Sequence, residues 1–301
     1  MSAGKVWGLL VLGRKSALAL ILPSLCVIVI VLAVPLAYLL SYGVYATGSG
    51  FQPRYGFTFA NFDKLLRDPF YLSIFGKTFL LSVVATILAG VLGYGFAHFM
   101  WRADRRWRGV LTILVLSPLL VSIVVTSFGW IVILGRNGLI NQALQGLGLI
   151  DEPLRLVFND VGILIGLVHV VLPFMVLSVL AALERIEPVL TEAAATLGAS
   201  PARVFRHVIL PLSMPGIGAG TTIVFSLCIS AYVTPAVLGG NGPNFVTTLI
   251  YNQFVALHNW PFGAAVATVL LAVALLTVLL YLRWIGRVSQ AGVPAAEARR
   301  A

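Results

Sequence analysis

Charge is what this chain has least of: 10% of its 301 residues are charged, 59% are hydrophobic, and the mean hydropathy is +1.00. A soluble domain carries about 25% charged residues, so there is too little polar surface here to cover a globule in water. An integral membrane protein is the class that remains. Cysteine is also scarce. Cys26 and Cys228 both lie in apolar runs, which argues against a disulfide framework or a cysteine-based metal site and leaves two small residues packed among helices. Patterns that carry chemistry are missing too: there is no G-x4-G-K-[ST] phosphate loop, no H-E-x-x-H, no C-x-x-C and no G-x-S-x-G. No catalytic, cofactor or metal site is expected, and any ATP used must be hydrolysed by another polypeptide.

What the chain does have is six stretches free of Asp, Glu, Lys and Arg: Ala17–Leu40, Phe79–Trp101, Val110–Leu134, Val161–Leu183, Gly216–Leu238 and Phe262–Leu282. Each is long enough to cross a bilayer, for which about 20 residues suffice. The first exceeds the apolar segment of a signal peptide and reads as a retained span. Intramembrane ionisable groups usually mark ion pathways, and their absence argues against a proton relay. Only histidines enter: His169 in the fourth span, read first as a helix-to-helix hydrogen bond and second as a substrate contact, and His98 near the end of the second, read as interfacial.

Lys and Arg divide fourteen to six between the two sides. The richer side holds both termini, the WRADRRWR turn (101–108) and residues 187–215, which places these in the cytoplasm. That asymmetry accounts for the net charge of +10 without nucleic acid. The turn itself reads as a positive-inside anchor, with an ATPase or lipid contact as the second reading. The expected divisions are a cytoplasmic N-terminus (1–16), a six-span domain (17–284) and a disordered cytoplasmic tail (285–301).

Residues 187–215, EPVLTEAAATLGASPARVFRHVILPLSMP, form a polar hairpin of two short helices. Pro188 suits a first helical position and Gly198 the left-handed residue past the last turn. Ser200-Pro201 repeats the start signal, and Leu210-Pro211 is expected to stop the second helix. Val204, Phe205, Val208 and Ile209 share one face, with Arg203, Arg206 and His207 elsewhere. On the other side of the membrane, residues 41–78 are polar, a short helix is expected over Ile140–Leu147, and Gly239–Pro261 contains no Lys or Arg. Pro23, Pro35, Pro118, Pro173 and Pro235 should bend their helices. The pairs Gly162/Gly166 and Gly216/Gly220 permit close helix contact, within the chain or with a second subunit.

Glu192-Ala193-Ala194, Gly198 and Leu210-Pro211 resemble the EAA signature E-A-A-x3-G-x9-I-x-L-P of the membrane subunits of binding-protein-dependent ABC importers, with Val208 in place of the isoleucine. The pieces LPFMVL, SAYVTPAVLGG and NWPFGAA look most like the polyamine (spermidine/putrescine)-type branch, and Lys77-Thr78 stands where many members have Asn-Thr. The resemblance implies an all-α integral membrane protein with six transmembrane helices, the type I ABC importer permease (MetI-like) fold, and both termini cytoplasmic in the bacterial inner membrane. It implies a second permease subunit, two ATP-binding subunits that carry ATP and Mg, and an extracytoplasmic solute-binding protein. Glu192, Ala193, Ala194, Gly198, Ser200, Pro201, Leu210 and Pro211 are then the expected ATPase-coupling residues.

A path for a small polar solute should draw on the polar groups of the fifth span, Tyr232 and Thr234, and on Asn241, with His169, Asp160 and Trp260 as further candidates. Asp160 and the aromatic rings would attract a cation by charge and by cation–π contact. The alternative is a secondary transporter driven by an ion gradient, which predicts an intramembrane acid that these spans lack.

Overall fold

A bilayer core offers no water to backbone N–H and C=O groups, so long apolar runs satisfy them internally as helices. The computed structural model describes residues 14–46, 54–240, 242 and 244–291. In chain order it contains α1 (Arg14–Gly43), β1 (Tyr45–Ala46), β2 (Arg54–Phe57), α2 (Ala60–Arg67), α3 (Pro69–Arg102), α4 (Arg105–Leu116), α5 (Ile123–Leu134), α6 (Leu139–Gly146) and α7 (Asp160–Leu183). There follow α8 (Pro188–Thr196), α9 (Pro201–Val204), α10 (Leu210–Ile229), α11 (Val233–Leu238), α12 (Val246–Tyr251) and α13 (Trp260–Ala291). Six helical segments among the described residues are long and apolar enough to span a membrane.

Two spans differ from their expected form. The third is broken: α4 ends in a 3-10 turn over Ser117–Leu120, Val121 is extended, and α5 starts afresh at Ile123. Pro118 is the cause, since it lacks an N–H and its ring crowds the preceding turn. The fifth begins earlier and ends earlier than its apolar run suggests. Helical structure is continuous from Pro201 to Ile229 through a π turn at Phe205–Ile209, so Leu210-Pro211 does not stop the helix. In that wider turn the Leu210 N–H donates to the Phe205 carbonyl, five residues back. Pro211, which has no N–H to give, is carried at the start of the next α-helical turn. The helix stops at Ser230, and Pro235 sits in the first turn of the separate α11 rather than inside a span.

Outside the spans, α6 lies one residue from its expected place. Residues 41–78 contain a two-stranded antiparallel ladder, β1 on β2, that alternation did not announce. Asn61 of α2 is buried and donates to the Gly43 and Tyr45 carbonyls at 3.2 and 2.8 Å, tying the end of α1 to this ladder. At the other end of the chain α13 continues to Ala291, so residues 285–291 of the expected tail are helical; 1–13 and 292–301 lie outside the described residues.

The core is built where α3, α7 and α10 meet. Lipid tails are as apolar as leucine, so close packing rather than water exclusion must hold these helices together. Ala85, Ala89 and Ala97 of α3 are fully buried, and Met175 of α7 enters between two glycines. A Cβ on Gly93 would meet Met175 Cγ at 2.7 Å, and one on Gly220 would meet Met175 Sδ at 2.7 Å. Gly216 lies against Ala182 and the Ser178 carbonyl, while Gly166 receives Thr234 and Leu238. The glycine pairs thus pack within the chain. α1 stands at the edge beside α13, with Leu22 to Val34 largely exposed.

The two ends of the bundle are fastened by different ion pairs. At one end Lys77 of α3 meets Asp160 of α7 at 2.6 Å; at the other Arg108 of α4 reaches Glu184, just past α7, at 3.4 Å. Arg108 also donates to the Trp101 carbonyl at 2.7 Å. It therefore braces the WRADRRWR turn as well as adding to its charge.

Candidate functional site

The breaks in the third and fifth spans face one another across a cavity of about 360 Å³. Pro118, Val121 and Thr126 line it from one side, His169 and Phe174 from α7, and Ser230, Tyr232 and Thr234 from the other. Interrupted helices are tolerated at membrane depth where protein or a water-filled cavity receives the freed backbone groups, and a site flanked by two of them is where a solute can be met. Thr234 is brought against α7 because Gly166 has no side chain to hold it off; an added Cβ would lie 2.6 Å from Thr234 Cγ2. His169 packs edge-on against Trp130 with ring centres 5.4 Å apart, and Tyr232 lies 4.9 Å from Tyr251. No lining residue of this cavity is an acid or a permanent cation. Hydroxyls, one imidazole and aromatic faces are what it offers, which suits a desolvated polar solute held by hydrogen bonds and ring faces.

Of the six expected path residues, the structure gathers His169, Tyr232 and Thr234. Asp160 lies at the end of α7, half exposed and paired with Lys77. Trp260 opens α13 beside Tyr42 and Phe254, away from the cavity. Asn241 lies outside the described residues. Pro118, Thr126, Phe174 and Ser230 were not foreseen as lining residues. Pro118 in an otherwise unbroken run was the available signal, read only as a bend.

The hairpin forms a second site at the end of the bundle that holds Arg108. α8 buries none of its residues: Glu192 and Ala193 are exposed, and Ala194 rests on the core. Its end is closed by two hydrogen bonds, Gly198 N–H to Ala195 at 2.9 Å and Ala199 N–H to Ala194 at 3.1 Å. This pairing needs a left-handed residue at position 198, where Gly198 has φ +81°. Ser200 precedes α9 with its carbonyl accepting from Arg203 and Val204, and Pro201 takes the first helical position. Val204 and Ile209 are buried in the core, with Phe205 and Val208 packed beside them, while Arg203, Arg206 and His207 face out. Leu210 is partly buried and Pro211 exposed. Val189 and Leu197 stand 61% and 88% exposed on an otherwise smooth surface, which leaves apolar area for a partner.

Residues 87–288, more than half of the chain and including both sites, match the family described as binding-protein-dependent transport system inner membrane component. The chain belongs to this family. It is an inner-membrane permease of the ABC importer type, a transport subunit rather than an enzyme, and ATP hydrolysis lies on a separate chain. It is 35% identical over 227 residues to the spermidine/putrescine transport system permease protein PotB of Escherichia coli (strain K12), covering 75% of this chain and 82% of that one. The PotB of Haemophilus influenzae is 34% identical over 236 residues, covering 78% and 82%. The permease fold also matches a crystal structure of a bacterial ABC transporter involved in the import of the acidic polysaccharide alginate, with a TM-score of 0.70 at 19% identity over 95% of this chain and 99% of that one.

Proposed function

We propose that this permease carries a polyamine such as spermidine or putrescine inward, with the cavity at Tyr232 as its part of the path and the hairpin as its link to an ATPase. The resemblance to both PotB proteins supports the substrate. Support for the link comes from the exposed hairpin: a partner can close on Glu192 and Ala193 without first unpacking the core. The hairpin and the termini face the cytoplasm, where basic residues collect. A second permease, two ATPase subunits carrying ATP and Mg, and an extracytoplasmic binding protein complete the assembly. The cavity supplies no carboxylate, so on this chain a polyammonium ion is held by the aromatic faces and hydroxyls.

Reconstituting the full assembly in proteoliposomes tests this reading. Uptake of labelled spermidine should require ATP and the loaded binding protein, should survive collapse of ion gradients, and should be lost with ATPase copurification in Glu192→Lys. Uptake without the ATPase, or labelling of a cysteine at position 195 from outside intact cells, would refute the coupling. Failure of the binding protein to bind any polyamine would refute the substrate alone.

A further inference from the structure

The WRADRRWR turn holds a second recess that neither the path nor the hairpin uses. It encloses about 400 Å³ and is lined by Phe99, Arg102, Ala103, Asp104, Trp107 and Leu111. Arg102 and one acid, Asp104, line it, and Arg106 stands beside its Trp107 wall. Arg108 is committed elsewhere, to Glu184 and the Trp101 carbonyl. Among the described residues neither Arg102 nor Arg106 makes an ion pair, and the Arg106 guanidinium lies 5.8 Å from the centre of the Trp107 ring. Below this charged rim the surface is apolar: Phe99 is 61% exposed, Trp107 53%, and Val110, Ile113 and Leu114 between 55% and 69%.

We infer that this recess binds one anionic phospholipid, its headgroup phosphate on Arg102 and Arg106 and an acyl chain along Phe99 and Leu111. Charge complementarity favours it, because the cytoplasmic leaflet is negative and basic clusters just beyond a span attract its headgroups. The apolar face continuing down α4 favours a lipid over the ATPase, since a water-soluble partner cannot follow it into the bilayer. The hairpin borders a separate cavity, with Trp101, Thr191, Ala195 and Pro201 in its wall, which shares Arg102 with this recess but neither Arg106 nor Trp107. The inference rests on the orientation proposed above only for the choice of leaflet.

Native mass spectrometry of the assembly, exchanged into mixed phosphatidylglycerol and phosphatidylcholine, gives the test. Wild type should retain phosphatidylglycerol in preference, and the double substitution Arg102→Gln/Arg106→Gln should reduce that preference by up to about 30-fold, two charges at about 1 kcal/mol each. Arg136→Gln/Arg155→Gln, at the other end of the bundle, should leave it unchanged. Equal retention by wild type and the Arg102/Arg106 variant overturns the inference. Should that variant fail to assemble, fluorescence quenching decides: brominated phosphatidylglycerol should quench the Trp107 signal, defined by difference from Trp107→Phe, more than brominated phosphatidylcholine, and equal quenching overturns it. An outward-facing hairpin would refute the proposed coupling yet leave lipid retention intact, so the two failures are distinguishable.

Discussion

Replacing Gly198 by alanine isolates the one backbone conformation on which the hairpin's shape depends. Gly198 has φ +81°, and a Cβ there would meet nothing within 4 Å. Crowding is therefore no part of the effect, and what remains is the left-handed penalty of an L-residue, about 1–2 kcal/mol. Releasing the conformation instead would sacrifice the two closing bonds of α8, each contributing about 1 kcal/mol. By either route the open hairpin becomes more populated, by about 5- to 30-fold at 1.4 kcal/mol per tenfold. Hydrogen exchange of the assembled transporter should report this as faster exchange at residues 198 and 199. Amides of Val176 and Val179, deep in α7, should not change. Gly198→Asn should fall between wild type and alanine, because asparagine tolerates the left-handed region. Unaltered exchange in the alanine variant, or a worse asparagine variant, would refute the reasoning.

Other substitutions probe the packing. Thr78 accepts the Val246 N–H at 2.9 Å, and both residues are buried; Thr78→Val should cost about 1–3 kcal/mol, read as a lower melting temperature in detergent. Lys77→Met breaks a shorter contact, yet its partners are 33% and 52% exposed, so the loss should stay below about 1 kcal/mol and shrink in high salt. Gly216→Ala would drive a Cβ to 2.7 Å from the Ser178 carbonyl, and overpacking there should destabilise by about 1–3 kcal/mol. Gly76→Ala, inside α3 with open space around it, should instead stabilise by about 0.4–1 kcal/mol in the same melting assay. Asn141 is fully buried and makes three bonds, to Gly135 and to both backbone groups of Leu154; Asn141→Ala should cost about 3 kcal/mol and speed proteolysis between residues 135 and 158.

Apolar runs announced six spans because backbone in lipid has few alternatives to helix. Local signals also sufficed for the first half of the hairpin: Pro188 and Gly198 each act through their own φ angle, independently of distant residues. The second half misled because Pro211 is a stop only in an α-helical register, and the π turn before it, in which the Leu210 N–H reaches back five residues, has no local signal. The cavity was half legible. Tyr232 and Thr234 stood out as polar groups in an apolar run, but their meeting with His169 depends on the missing side chain of Gly166. Asp160 shows the limit of reading charges singly, since its partner Lys77 lies 83 residues earlier in the chain.

The unbroken helix from Pro201 to Ile229 has a mechanical consequence. Its 29 residues at 1.5 Å each make a strut of about 44 Å, with the hairpin's second arm at one tip and the Ser230–Tyr232 break at the other. A small tilt imposed at the foot of such a strut is delivered, magnified by its length, to the ring of Tyr232. Gate and handle would then belong to a single piece of backbone.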